Sequence, residues 1–173
     1  DMTEEWLSSI ASSGDSTLAA LGAYGTGMLE LYRGNYREAT EILSGLAEDH
    51  PSSEWANDAL EHAVTVKRAM SGDPAGLDLY VSAMRKALSG EAGQAAAELE
   101  ELVTGHGESP LVPAALWKKS GLLLESGRRR EALAALSVLA EEHGEDVYAP
   151  RAIERSAGII AAEYDGRVGS ERL

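Results

Sequence analysis

The sequence contains no cysteine and no phenylalanine. The absence of cysteine excludes disulfide bonds, thiolate catalysis and cysteine-ligated zinc sites. Because aromatic residues of any kind are few, a thick globular core is hard to fill, whereas alanine and leucine are abundant. This composition favours helices that pack closely on one another across small side chains.

The sequence also lacks a run of about 18 apolar residues and a basic-then-apolar leader, so it predicts no membrane insertion and no signal peptide. It begins at Asp1 rather than at methionine, and we expect it to be a trimmed or mature fragment. With 173 residues, 44% of them hydrophobic, the chain is long enough for one ordinary domain or for an array of small units.

Positive charge is scarce in the first part of the chain. Residues 1–66 hold 12 acidic and 2 basic residues, whereas residues 67–173 hold 17 acidic and 13 basic residues, for a net charge of −14. An acidic surface repels phosphate backbones and anionic lipids. We therefore expect neither nucleic acid nor a membrane surface as the main partner.

Three glycines, Gly34, Gly90 and Gly127, each precede a histidine by sixteen positions. The segments that begin at them align without a gap as "GNYREATEILSGLAEDHPSSEWANDAL", "GEAGQAAAELEELVTGHGESPLVPAAL" and "GRRREALAALSVLAEEHGEDVYAPRAI". The further shared columns are Ala39/Ala95/Ala132, Leu43/Leu99/Leu136, Leu46/Leu102/Leu139, His50/His106/His143, Ala59/Ala115/Ala152 and Leu60/Leu116/Ile153. These columns indicate an internal structural repeat.

Each column of the repeat has a physical reason. Glycine follows an apolar helical stretch, where a helix ends in a left-handed residue that glycine adopts at little cost. The alanine and the two leucines form one stripe at helical spacing. Each unit is therefore predicted to be a helix, a tight turn, a second helix and a loop, and the helix pairs must stack to bury their stripes.

This pattern resembles the tetratricopeptide repeat. Gly34, Tyr36, Ala39, Leu43 and Pro51 match that motif, and the resemblance covers about residues 20–164. The stretches "HPSSEWANDAL", "GESPLVPAAL" and "GEDVYAPRAI" are similar to the variety found in bacterial envelope proteins, namely the barrel-assembly lipoprotein and the Tol-Pal system coordinator. The resemblance implies an α-solenoid that binds other proteins, in the periplasm or cell envelope.

The sequence departs from that family in two ways. Histidine stands where tyrosine is usual, and copies two and three have Ala92 and Arg129 in place of the turn aromatic. The glycines are also 56 and then 37 residues apart, an excess of 19 that equals one helix plus a turn. We place this break at "SGDPAG", where Asp73 caps and Pro74 opens a new helix.

The predicted fold is thus an all-α, tetratricopeptide-like solenoid of antiparallel helix pairs, with a first stack over 1–71 and a second over 72–173. The tail "DGRVGSERL" is expected to fray because it has no apolar stripe. The predicted helices, about eight or nine, span residues 3–12, 17–33, 36–49, 53–70, 74–88, 91–105, 110–125, 128–142 and 147–164.

The three repeated histidines predict no metal site. A metal needs several ligands within about 2 Å of one ion, whereas equivalent positions of stacked repeats lie about 10 Å apart. Each histidine is instead expected in the last turn of a helix, beside free carbonyls, and His62 on an exposed helix face. Because GxSxG, HExxH and a glycine-rich phosphate loop are missing, we expect no enzyme and no cofactor.

A column of large side chains precedes the glycines. Tyr24, Tyr80 and Trp117 stand ten residues before each glycine, and Met28 and Met84 stand six residues before the first two. In the resembled family these positions face the concave groove that receives a peptide or a partner helix. The alternative is that they fill gaps in a core that has no phenylalanine, and the sequence leaves both open.

Lys118, beside Trp117, is a further groove candidate and is counted with this column. Lys118, Lys119 and the turn "SGRRR" also form a cationic cluster, which suits acidic groups of a partner or of a second copy. Together these features predict a non-enzymatic scaffold that binds a peptide or helix of another protein, by resemblance within a bacterial envelope assembly. The alternative is a structural protein that forms oligomers through its acidic N-terminal and more basic C-terminal surfaces.

Overall fold

The computed structural model describes the backbone of residues 2–170, and their side chains apart from those of residue 4 and residues 165–170. Over that range the chain forms helices and no strand, so the predicted all-α helical-repeat fold is confirmed. The helices are α1 (Met2–Ala11), α2 (Ser16–Arg33), α3 (Tyr36–Asp49), α4 (Ala56–Gly72), α5 (Pro74–Leu88), α6 (Ala92–Gly105), α7 (Val112–Glu125), α8 (Arg129–Glu142) and α9 (Tyr148–Ser170).

The three glycine turns have one conformation. Gly34, Gly90 and Gly127 have φ values of 87°, 81° and 74°, as the sequence predicts. At the first turn the N–H of Gly34 donates to Leu31 O, and the next N–H donates to the carbonyl five residues before it. The same two hydrogen bonds recur at the other two glycines, so each turn ends its helix with the same left-handed motif.

The repeated histidines each follow the last residue of a helix, as predicted. The carbonyl of His50 accepts a hydrogen bond from the N–H of Ser53, and the carbonyl of Ser53 accepts one from Ala56. Equivalent bonds follow His106 and His143. These consecutive turns delay the next helix, which is why α4 begins at Ala56 and α7 at Val112 rather than at the predicted residues 53 and 110.

The new helix predicted at "SGDPAG" begins where the sequence predicts it. Asp73 alone separates α4 from α5. Its Oδ1 accepts a hydrogen bond from the N–H of Gly76 at 3.0 Å, and Pro74 occupies the first helical position, where no N–H is required.

The chain divides into two compact units, Asp1–Val81 and Ser82–Leu173, which meet within α5. The predicted division of the repeat at residues 71 and 72 stays a prediction. Helix α9 continues through Ser170, six residues beyond its predicted end at residue 164. The predicted fraying of residues 165–173 falls partly on this continuation and partly outside the described residues.

In the first unit, α2 packs against α1 and α3, and α3 packs against α4. The buried cluster between α3 and α4 comprises Leu43, Leu46, Ala56, Ala59 and Ala63. Helices α1 and α2 cross closely at Gly22, where a Cβ would lie 2.4 Å from the backbone nitrogen of Ala11. Only glycine fits this crossing without a shift of the backbone.

In the second unit, consecutive helices from α6 to α9 pack in sequence, and α7 also contacts α9. The second half of α5 joins this unit through Glu98 of α6, whose Oε1 accepts hydrogen bonds from Ser82 Oγ and Lys86 Nζ. Fully buried leucines from the repeat stripe form the core, namely Leu99, Leu102, Leu116, Leu123, Leu136 and Leu139.

Candidate functional site

The sequence-predicted Trp117 lies in an aromatic and cationic cluster between α7 and α9. Its ring stacks on that of Tyr148, with centroids 5.8 Å apart and planes 25° apart, and the Arg155 guanidinium carbon lies 3.4 Å from its centroid. Arg155 Nη1 also donates to Ser120 Oγ at 3.3 Å. Burial lowers the pKa of Arg155. Trp117 therefore joins two helices, and its exposed part is limited.

The equivalent residues of the first unit also contact the core. Tyr24 and Met28 are half-buried and pack against the α3–α4 cluster. The ring centroid of Tyr24 lies 6.3 Å from that of His62, which is half-buried rather than exposed as predicted, because it packs beside this ring. Burial, and then the charge of Asp58, raises the pKa of Tyr24 to about 12.

Tyr80 is the most buried member of the predicted column, with 4% of its surface exposed, and burial raises its pKa. Met84 and Lys118 are half-buried. The column is divided between the compact units, since Tyr24, Met28 and Tyr80 belong to the first and Met84, Trp117 and Lys118 to the second. Its assignment to a partner-binding groove stays a prediction.

A groove lies in the second unit, between α6 and α8 and above α7. It has a volume of about 570 Å³. Leu116 and Leu123 of α7 lie at its base but are only 1% and 2% exposed, so its accessible apolar lining comes from small residues of α6 and α8. The wall residues are Gly93, Ala96, Ala97, Val103, Ala134, Ala135 and Val138. The walls of this groove are apolar, a lining that suits an apolar side chain from a helix or a peptide.

Two ion pairs border this groove. Lys119 pairs with Glu100, and Arg128 makes a double contact with Glu131, Nε to Oε1 at 2.7 Å and Nη2 to Oε2 at 2.5 Å. Burial lowers the pKa of Lys119, and the hydrogen bond from Arg128 lowers that of Glu131. Two members of the predicted cationic cluster are thus neutralised by carboxylates, and the rim carries no net charge from these four groups.

A second, polar cavity of about 500 Å³ lies in the first unit beside the start of α2. His50 lines it, and its Nδ1 lies 3.2 Å from Ser16 Oγ. Over the part of the chain that the structure describes, His, Asp and Glu side chains nowhere gather in threes that could hold a metal ion. None of its helices is long and apolar enough to cross a membrane.

The sequence reasoning missed the α6–α8 groove, although a signal for it is present. Gly93, Ala96 and Ala97 on α6, and Ala134 and Ala135 on α8, place small residues at helical spacing on two neighbouring helices. Small side chains on facing helices leave a groove unless a third element fills it. Comparisons with protein-family models, curated proteins and solved structures find no match to this chain.

Proposed function

We propose that this protein is a non-enzymatic scaffold that binds a helix or peptide of a partner protein, and that the α6–α8 groove receives an apolar side chain of that segment. The observation that carries the proposal is the groove itself: walls of small residues above the buried Leu116 and Leu123, and a rim of paired charges. Interaction sites of proteins combine an apolar centre with a polar rim in this way.

The resemblance to tetratricopeptide repeats supports the same class of function, and it is the reason to propose a bacterial envelope setting. The repeated glycine and histidine turns give the helices the regular stacking that such scaffolds use. The charged side chains of the groove support binding rather than catalysis, because Lys119 and Arg128 each contact a carboxylate directly.

The test is to fill the groove without disturbing the core. Ala97 lines the groove and is exposed, so Ala97→Trp adds a large side chain at its wall, whereas Gln94→Trp adds the same side chain on an exposed position of α6 that does not line the groove. We expect a partner captured from the native source by the unmodified chain to be retained by Gln94→Trp. Ala97→Trp is expected to weaken its capture at least tenfold, with unchanged circular dichroism.

A third variant distinguishes the two candidate surfaces. Lys118→Glu reverses the charge at the sequence-predicted column and leaves the groove unchanged. If Lys118→Glu abolishes capture and Ala97→Trp does not, binding uses the sequence-predicted column and the groove assignment is wrong. If both tryptophan variants and Lys118→Glu bind as the unmodified chain does, neither surface is the binding site.

A further inference from the structure

Helix α9 has one face that consists of apolar residues over its described side chains. Pro150, Ile153, Ala157, Ile160, Ala161 and Tyr164 recur at helical spacing along it. The opposite face of α9 holds Tyr148, Ala152 and Arg155, which contact the rest of the second unit. We call the first set the outer face of α9.

The repeat shows what normally covers this face. The equivalent positions, 37 residues earlier in α7 and in the turn after it, are Pro113, Leu116, Ser120, Leu123, Leu124 and Gly127. Leu116 and Leu123 lie beneath α8 residues such as Ala135, and Ser120 bonds Arg155 of α9. The two helices that follow α7 therefore cover its face, and Leu116 is 1% exposed.

The outer face of α9 has no such cover among the described residues. Ile153, Ile160 and Tyr164 are 62%, 57% and 69% exposed. Isolated exposed apolar residues are common on proteins, but six on one helix face, without a polar residue among them, form a contiguous patch.

Helix α4 supplies the matched comparison, because it also ends a run of packed helices. Its equivalent face, 93 residues before that of α9, has Asn57, Leu60, Val64, Lys67, Arg68 and Ser71, all exposed. Four of these six are polar or charged, and Lys67 stands where α9 has Ile160. The same helix face is therefore mostly polar on α4 and apolar on α9.

We propose that the outer face of α9 binds the outer face of α9 in a second copy of this chain, as an antiparallel helix pair related by a two-fold axis. Ile153, Ala157, Ile160 and Tyr164 are separated by four, three and four residues, which is the spacing of a coiled-coil seam. This spacing is the same in both directions, as a two-fold axis requires.

The pairing that follows places a small side chain opposite a large one at the centre of the seam, and two large side chains opposite each other at its ends. With the axis between residues 158 and 159, Ala157 meets Ile160 of the second copy, and Ile153 meets Tyr164. A small residue opposite a branched one lets two helices approach closely without leaving a void. Glu154 is level with Glu163 of the second copy but lies on the opposite flank of the seam. The nearest flanking residues of the second copy are Ala161 for Glu154 and Ser156 for Glu163, so these carboxylates do not meet.

The contact is short and should be weak. The seam from Ile153 to Tyr164 spans 12 residues, about 18 Å of helix. Such an interface is below the usual size of stable complexes, so we expect a dissociation constant on the order of 10 to 100 μM. Since apolar burial dominates the contact, dimerisation should respond little to salt.

Sedimentation equilibrium of the full 173-residue chain from about 1 μM to about 1 mM tests the proposal, because this range brackets the expected constant. We expect a monomer–dimer equilibrium that Ile160→Lys weakens at least tenfold, since it places on α9 the residue that α4 has at the same repeat position. Leu60→Lys, the matched control on α4, should leave the equilibrium unchanged. A monomer at every concentration would overturn the proposal.

Cysteine pairing tests the orientation, and the chain provides a cysteine-free background. An antiparallel seam places Ile153→Cys of one chain beside Tyr164→Cys of another, so mixed variants should form a disulfide-linked heterodimer and neither variant alone should form a homodimer. Homodimers of Ile153→Cys would show a parallel pair and overturn the proposal. Dimers that Ile160→Lys leaves intact, and that dissociate with added salt, would also overturn it in favour of docking between the acidic and basic surfaces.

Discussion

Helices α7 and α9 carry the same repeat, and they differ in what their equivalent faces contact. Leu116 of α7 is covered by the helices that follow it, whereas Ile153 of α9 is 62% exposed. Helix α4 is also open at this position, with Leu60 48% exposed, but most of its neighbours on that face are polar. The exposure of this helix face therefore depends on whether further helices pack over it. The residues on the face then decide whether an uncovered face is suited to contact with water.

The largest effect is expected from one substitution made at the three equivalent positions. Leu116→Ala removes a fully buried side chain and should lower the free energy of unfolding by about 3 kcal/mol. Ile153→Ala and Leu60→Ala should each change it by less than about 1 kcal/mol, because most of each side chain already contacts water and alanine favours the helix. Urea unfolding at about 1 μM protein, below the expected dimer range, measures all three.

The same series, repeated at high protein concentration, separates α9 from α4. If α9 pairs with a second copy, Ile153→Ala should lose stability relative to the unmodified chain as the concentration rises, whereas Leu60→Ala should not. If all three variants lowered the free energy of unfolding equally at low concentration, the equivalent faces of α7, α9 and α4 would not differ in burial.

The sequence predicts the regular parts of this fold because each depends on local chemistry. The left-handed glycines and the Asp73–Pro74 helix start need only the residues beside them. The surfaces depend on partners distant in the chain. Lys119 is predicted as part of a cationic cluster, but Glu100, on the preceding helix, neutralises it. Tyr24 and Tyr80 occupy one repeat column, yet only Tyr80 is fully buried, and periodicity alone does not indicate this difference.

High pH should affect buried titratable side chains of the two units in opposite directions. Burial raises the pKa of Tyr24 to about 12 and also raises that of Tyr80, because folding favours the neutral phenol. Their contribution to stability is complete below about pH 10, the pKa in the unfolded chain, and is lost as pH rises from about 10 towards 12. Burial lowers the pKa of Lys119 in the second unit, so its effect has the opposite sign.

We therefore expect ionisation of Tyr24 and Tyr80 to weaken the first unit at high pH. Tyr80→Phe removes one of these phenols and should move the alkaline midpoint, followed by circular dichroism, to higher pH. The fluorescence of Trp117, measured in a Trp6→Phe, Trp55→Phe background, reports the second unit separately. A midpoint that Tyr80→Phe does not move would contradict this prediction.

The smallest effect is expected from replacing a glycine at equivalent positions of α7 and α9, where the substitution should change stability by a similar amount. Gly121 and Gly158 occupy one repeat column on the side of the helix, away from the outer face. A Cβ at Gly158 meets no atom within 4 Å, and one at Gly121 meets Arg155 Nη1 at 3.8 Å, an ordinary contact. Because neither glycine has a positive φ, alanine should stabilise each helix by about 0.5 to 1 kcal/mol. Each variant should raise the melting temperature by about 1 to 4 °C in calorimetry. If only Gly121→Ala lowered stability, the Arg155 side chain would be held too tightly over the Trp117 ring to move away from the added methyl group. The contact between α7 and α9 would then be rigid at this position.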